Sequence, residues 1–490
     1  MNPVQAAAGL VFEEPLLWER GRPGRTGYSL PRRDVEETPV PEALAAEPPE
    51  IPELSEVDLV RHYVRLSQWN VSVDTAMYPL GSCTMKYNPK TNERQAALPG
   101  FALAHPLLPE ALCQGALELI AALECLLAEI TGLDAVSLQP GAGAQGELAG
   151  MLIFHAFHRR QGRPRSKILV PDTAHGTNPA SAALCGYRAV PVASGGQGIL
   201  EPEAVARLMD EETAGIMITN PNTLGLFEEH VAEIARIVHA KGGLVYGDGA
   251  NMNAVLGRVD LGRIGVDVLH LNLHKTFSTP HGGGGPGAGP VCVTRQLAPF
   301  LPVPRVVHRE GRFFWSEDFP LSIGKLQAFW GNFGVLVRAY AYILSMGANH
   351  LEEVSRLAVL NANYLRVGLR GDYEPAHDRP CMHECVFSDA RQRPHGVTTL
   401  DIAKRLMDYG FHPPTVYFPL VVPGALMIEP TETESKEMLD LFLAAMAAIA
   451  AEAREQPEIL REAPRRCLRR RLDEVQAARK PRLTGSPPAP

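Results

Sequence analysis

Four short apolar runs in the middle of this 490-residue chain each lead into a cluster of polar residues. The run at 167–170 leads to Asp172-Thr173-Ala174-His175-Gly176-Thr177-Asn178, and the run at 215–219 to Asn220-Pro221-Asn222-Thr223. The run at 244–246 leads to Gly247-Asp248-Gly249-Ala250-Asn251, and the run at 266–271 to Asn272-Leu273-His274-Lys275-Thr276-Phe277. Ligands of open α/β sheets sit beyond the carboxyl ends of the strands, so the four clusters point to one shared edge. Lys275 is the residue that most needs a reason. An ammonium directly after a buried strand is costly unless paired or neutralised. A Schiff base removes that cost by removing the ammonium. The alternative is a surface lysine at a strand end, and Asp248, at the end of the preceding run, argues against it. A carboxylate there is placed to keep the pyridine nitrogen of pyridoxal 5'-phosphate protonated, which makes the ring an electron sink. An Asp in a Gly-rich turn is common by itself, but that reading leaves Lys275 unexplained.

Other residues fit the same chemistry less specifically. The turn Gly141-Ala142-Gly143-Ala144-Gln145-Gly146 opens a helix. Its small residues let backbone N–H groups approach a phosphate, and a helix start favours an anion. It matches neither the GxGxxG nor the Walker pattern, so its weight comes from standing ahead of Asp248 and Lys275. His175 is placed to stack on a planar cofactor and orient a substrate proton; a histidine held only by hydrogen bonds is the alternative. The i, i+2, i+4 spacing of Cys381, His383 and Cys385 puts them on one face of a strand. No second ligand cluster accompanies them, so no metal site is expected. The glycine run from His281 to Gly287 reads as a loop over the ligand or as a close backbone approach.

These residues need a scaffold that delivers them together. Between 107 and 303, short apolar runs alternate with helix-length periodic stretches, including helices at 107–131 and 147–160. That pattern predicts a βαβ architecture: an α/β fold with a mostly parallel sheet covered on both faces. A further strand is expected at 289–294 and a long helical region at 321–369. A smaller α+β region follows, with strands near 383–387 and 425–429 and helices near 399–409 and 434–453. The expected organisation is an extended N-terminal arm (1–60), a large ligand-binding domain (61–330), a small C-terminal domain (331–463) and a disordered basic, Pro-rich tail (464–490). Leu10, Val11, Phe12, Leu16, Leu17 and Trp18 give the arm something to bury.

Composition excludes several classes. A chain that is 45% hydrophobic and 21% charged is not mainly disordered. A net charge of −8 opposes a broad nucleic-acid-binding surface. Eight cysteines without a CxxC pair read as reduced thiols of a cytoplasmic protein. The most apolar helical stretch, 117–130, carries Glu118, Glu124 and Glu129 and cannot span a bilayer, so no membrane association is expected. Glu13, Glu14 and Glu19, without an apolar core segment, do not form a secretory signal.

Several blocks are long and specific enough to carry a resemblance. Tyr78-Pro79-Leu80-Gly81-Ser82-Cys83-Thr84-Met85-Lys86-Tyr87-Asn88-Pro89, Gly143-Ala144-Gln145-Gly146-Glu147, Ala174-His175-Gly176-Thr177-Asn178-Pro179-Ala180, Thr219-Asn220-Pro221-Asn222-Thr223-Leu224-Gly225 and the block around Lys275 resemble the glycine decarboxylase P-protein family of the glycine cleavage system. The likeness runs from about residue 22 to about 430. It implies a fold-type I pyridoxal-phosphate transferase-like large domain and the catalytic second subunit of the split form of that enzyme. The implied partners are a companion subunit 1 in an α2β2 heterotetramer and a lipoylated H-protein, with glycine as substrate. Carried over by position, Lys275 is the Schiff-base lysine, Asp248 the partner of the pyridine nitrogen and His175 the residue over the ring. Gly143, Ala144 and Gln145 form the phosphate loop, with Thr223 and His274 as further cofactor contacts. The implied reaction is decarboxylation of glycine with transfer of the aminomethyl group to the lipoyl arm; the alternative is another amino-acid decarboxylase or desulfurase on the same fold.

Overall fold

The computed structural model describes residues 13–47, 51–105, 107–281, 287–481 and 483. The apolar runs become the strands of a seven-stranded sheet. They are β1 (Ala135–Ser137), β2 (Lys167–Pro171), β3 (Arg188–Val192), β4 (Thr213–Thr219), β5 (Leu244–Gly249), β6 (Val268–Leu271) and β7 (Val291–Val293). Their order is β1-β7-β6-β5-β4-β2-β3. Strands β3, β2, β4, β5 and β6 pair in parallel, while β7 is antiparallel to both β6 and β1. Both faces are buried, with the alternation that a period of two dictates. Ile168, Val170, Met217, Tyr246 and Val268 enter one core, which includes Met151, Ile153 and Phe154 of the helix Gly143–Arg160. Leu169, Ile216, Ile218, Val245 and Leu269 enter the other, against the helices Gln114–Thr131 and Val231–Ala240. In the latter helix Val231, Ile234, Ala235 and Val238 supply the i, i+3, i+4, i+7 stripe.

A hairpin, β8 (Arg305–Arg309) and β9 (Arg312–Ser316), follows the large sheet. The expected helical region starts later than 321: the helical segment is Phe333–Leu369, broken at Gly347, where φ is 62° and ψ 172°. Its first part packs into the large core through Val335, Leu336 and Val337, and its end into the small core through Ala362, Leu365 and Leu369. The small domain is an antiparallel sheet of β10 (Glu374–Pro375), β11 (Cys385–Ser388), β12 (Thr415–Val416) and β13 (Ala425–Ile428), in the order β10-β11-β13-β12. The helices Thr399–Asp408 and Lys436–Glu455 cover it.

The arm and tail differ from a simple picture of loose ends. Glu14 is buried and accepts from His62 at 3.0 Å and Arg65 at 3.3 Å, with Arg20 as a third partner. The arm therefore docks through a charge, while Leu16 and Trp18 stay more than half exposed. Residues 28–47 are exposed throughout. The tail is attached over its first part: Asp408 accepts from the Arg465 and Arg466 amides, and Arg471 pairs with Asp401. Leu10, Val11, Phe12, the loop residues 282–286 and residues 484–490 lie outside the described residues. Among the described residues no helix is long and apolar enough to cross a membrane.

Candidate active site

Parallel pairing aligns the carboxyl ends of β2, β4, β5 and β6, so their polar sequels share one edge. Asp248 faces His270 across β5–β6 and Thr219 across β4–β5. It is buried at 4% exposure. Its Oδ1 accepts from the Ala250 amide at 3.0 Å, and its Oδ2 from Asn178 Nδ2 at 3.3 Å. His270 Nε2 lies 3.6 Å from Oδ1. Burial pushes the Asp248 carboxyl up, but His270, the Ala250 amide, Lys275 and Asn178 together outweigh it and hold it below its ordinary value. Asp248 is thus a buried anion. Burial, with Glu147 and Asp248 nearby, pushes the Tyr246 phenol well above its ordinary value, so it keeps its proton, and its hydroxyl lies 2.5 Å from His270 Nδ1.

Lys275 is half buried, and its Nζ donates to the Ser82 carbonyl at 2.8 Å. The segment that carries Ser82 is pinned from both sides. Gly81 lies so close to β13 that a Cβ there would stand 2.2 Å from Met427 Cγ. Lys86, buried, donates to the carbonyl of Thr276 at 2.7 Å and pairs with Glu432. The lysine is thereby aimed from its own loop and from a distant stretch of chain.

Gly143, Ala144 and Gln145, the expected phosphate loop, lie at the start of the helix Gly143–Arg160, whose N-cap Ala142 offers no side-chain cap. The first amides of a helix have no acceptor within it, and Gly143 lacks the Cβ that would meet Asn272 Oδ1 at 2.3 Å. Ala144 is exposed beside it. Gln145 is different: its Oε1 accepts from the Gly141 amide at 2.7 Å and its Nε2 donates to the Leu326 carbonyl at 3.0 Å. Its side chain shapes the turn, and what it offers a ligand is backbone. Thr223 is buried and donates its hydroxyl to the Thr173 carbonyl at 2.6 Å, tying its loop to that of His175. His274 accepts from the Ala288 amide at 3.3 Å through Nδ1. Burial, then His281 and Lys275, push His274 down to about 3, so it is a neutral ring at physiological pH. His175 is exposed; its Nδ1 lies 3.0 Å from Thr177 Oγ1, and its ring meets Phe418 edge-on at 5.7 Å.

Sequence reasoning missed the residues that support these groups. Glu147 accepts from Thr177 Oγ1 at 2.7 Å and Asn178 Nδ2 at 2.9 Å, so the Asn178 amide bridges Glu147 and Asp248. The visible signal was a charged residue on a helix whose other face is apolar, and only burial separates that from a solvated one. The site fits pyridoxal phosphate on its own evidence. The helix start at Gly143 carries no side-chain cap, a buried carboxylate stands one strand from the lysine, and Gly143 leaves a cradle that a Cβ would fill. The cluster around Cys381, His383 and Cys385 does not form one face of a strand: β11 begins only at Cys385.

A family model for aminotransferase class-V matches residues 145–302, and one described as glycine dehydrogenase, C-terminal domain, matches 354–469. A crystal structure of glycine decarboxylase (P-protein) of the glycine cleavage system, in inhibitor-bound form, is similar with a TM-score of 0.71 at 20% identity, covering 84% of this chain and 93% of that one. An Oryza sativa TDC with PLP and tryptamine reaches 0.64 at 14% identity, over 86% and 92%. Fold and site together define a pyridoxal-phosphate enzyme with the aminotransferase class-V fold. The probable glycine dehydrogenase (decarboxylating) subunit 2 of Caldanaerobacter subterraneus is 56% identical over 472 residues, 95% of this chain and 97% of the relative. Its counterpart in Bacillus licheniformis is 54% identical over 477 residues, 96% and 98%. The chain belongs to the glycine dehydrogenase (decarboxylating) subunit 2 family.

Proposed function

We propose that this chain decarboxylates glycine with pyridoxal phosphate and passes the aminomethyl group to the lipoyl arm of an H-protein, releasing CO2. A companion subunit 1, in an α2β2 assembly, completes the enzyme, which works in the cytoplasm. Residues 61–330 form the cofactor-binding domain and 331–463 the small domain. The observation that carries the reading is Lys275, half buried and one strand from the buried anion Asp248, in a chain 56% identical to a subunit 2 relative.

Pyridoxal phosphate, when bound, supplies a ring that accepts the electron pair left by departing CO2. Lys275 is the amine that anchors it. Asp248 holds a proton at the ring nitrogen, and its bonds from Ala250 and Asn178 keep that carboxylate in place. The Gly143 and Ala144 amides hold the phosphate, with Gln145 shaping the turn, and Thr223 and the neutral His274 add polar contacts. His175 covers the ring and orients the substrate. Both Lys275 and a histidine are in place to move a proton. Lys275→Ala is expected to abolish the visible absorbance of the bound cofactor and glycine-dependent CO2 exchange; full exchange in that variant would overturn the assignment. Release of free amine without lipoylated carrier would turn the reading to a simple decarboxylase.

A further inference from the structure

The backbone of one residue, Ser82, separates Lys275 from a buried pair of carboxyl groups that the reaction above does not use. The Ser82 carbonyl accepts from Lys275 Nζ, and the Ser82 amide donates to Glu384 Oε2 at 2.8 Å. Ser82 and Thr84 both hold left-handed backbone, at φ 63° and 47°. Such conformations in non-glycine residues persist only where surroundings enforce them, and they cluster at functional sites. The enforcing groups here are two carboxyls. Glu429 accepts from the Thr84 amide at 3.1 Å, the Thr84 hydroxyl at 2.6 Å and Asn253 Nδ2 at 3.2 Å. Among the described residues Glu384 has the single Ser82 donor, and its Oε1 is buried without a partner.

His383, Glu384 and Glu429 are each fully buried, with polar atoms within 4.8 Å of one another. Two carboxylates so close in such an interior do not both ionise. Among the described residues three donors converge on Glu429 and one on Glu384, so the proton belongs on Glu384. Burial, then Glu429, push the Glu384 carboxyl well above its ordinary value, against the Ser82 amide and Lys275. Burial pushes His383 down, so it adds no charge. The thiols of Cys83, Cys381 and Cys385 also face the pair, and burial keeps each protonated. His281, pushed by burial to about 4, is the neutral ring on the Glu429 side.

We propose that Glu384 and Glu429 form a carboxyl pair holding one proton, and that Glu384 is the positioning residue that locks the Ser82 backbone as the acceptor for the free amine of Lys275. When substrate displaces the lysine, that amine needs a fixed acceptor, and the Ser82 carbonyl is it. This role rests on Lys275 being the cofactor lysine; the one-proton pair does not.

The test uses the full chain with its companion subunit, with and without pyridoxal phosphate. Without cofactor, infrared difference spectra at pH 7 are expected to show a protonated carboxyl that Glu384→Gln removes. The folded state keeps a proton that the unfolded state has lost, so the folding equilibrium falls about tenfold per pH unit above the ordinary carboxyl value; Glu384→Gln removes that slope. With cofactor, Glu384→Ala slows the glycine-driven spectral change about tenfold at unchanged KM, and Glu384→Gln restores it. Should Glu384→Ala fail to fold, Glu384→Asp, which withdraws the carboxyl from the Ser82 amide, takes its place. An infrared band or a pH slope that Glu384→Gln leaves intact overturns the pair. A wild-type rate in Glu384→Ala or Glu384→Asp overturns the positioning role. A wild-type chain that never binds the cofactor at Lys275 overturns the functional reading instead, and leaves the infrared result standing.

Discussion

Glu147→Gln is the substitution that tests how the site is held. The Glu147 carboxylate takes short hydrogen bonds from Thr177 and Asn178, at 2.7 and 2.9 Å, and a long one from Ser181 at 3.5 Å. Hydrogen bonds to a charged group contribute about 1.5–3 kcal/mol each and neutral ones about 0.5–1.5. Removing the charge from the two short bonds therefore costs roughly 2 kcal/mol. The glutamine amide also presents a donor where one of its neighbours needs an acceptor, so the Asn178 side chain turns and its bond to Asp248 weakens. The loss is local to the helix Thr177–Leu184, and amide exchange there is the assay. A 2 kcal/mol change raises the opening equilibrium about 30-fold, so exchange at the Ser181 and Ala182 amides is expected to accelerate by that factor while β4 and β5 keep their protection. Cofactor affinity falls alongside, because His175 and Asp248 both hang on this helix start. Unchanged exchange together with unchanged cofactor affinity would refute the claim that Glu147 braces the site.

Asp248→Asn keeps the shape and removes the anion, so cofactor binding is expected to survive while the rate of CO2 release falls by orders of magnitude, read from stopped-flow spectra and exchange of labelled CO2. Lys86→Met leaves Glu432 buried without its cation, which costs about 3–5 kcal/mol, and frees the Thr276 carbonyl; a lowered unfolding temperature and a disordered lysine loop are the expected readouts. His274 is pushed down to about 3 and His281 to about 4, each first by burial. The folded state keeps both rings neutral while the unfolded state protonates them near 6.5. Stability therefore falls as pH drops below about 6.5, and His274→Gln is expected to shallow that slope in urea titrations between pH 6.5 and 4.

Much of the scaffold was legible because physics left one solution. Runs such as 215–219 are apolar without alternation, which only a sheet covered on both faces accepts, and β4 is buried at every position. The site edge followed from the residues after those runs. Three things were not legible. β1 has three residues, too few for a period to register. β7 runs antiparallel to β6, and neither composition nor length distinguishes that from a parallel strand. The partners of Asp248 and Lys275 lie far away in sequence: Glu147, Asn178 and Ser82 reach them only through the fold. Gln145 illustrates the limit from the other side. The sequence puts it in a turn ahead of a helix from 147, whereas the helix already starts at Gly143 and Gln145 stands in its first turn; its amide is spent on Gly141 and Leu326, which only the coordinates reveal.

The pairing of the Tyr78–Lys86 segment with the small sheet has a consequence for assembly. Leu80 bridges Ile428, and Glu429 draws its hydrogen bonds from Thr84 and Asn253, residues made long before it. A polypeptide begun near residue 331 would lack these donors and the Leu80 bridge that covers the sheet beside Glu429. The C-terminal unit is therefore not autonomous. Its last hydrogen bonds wait for the closure of a loop of more than 300 residues, so the segment 78–86 must stay available until Glu429 has been made.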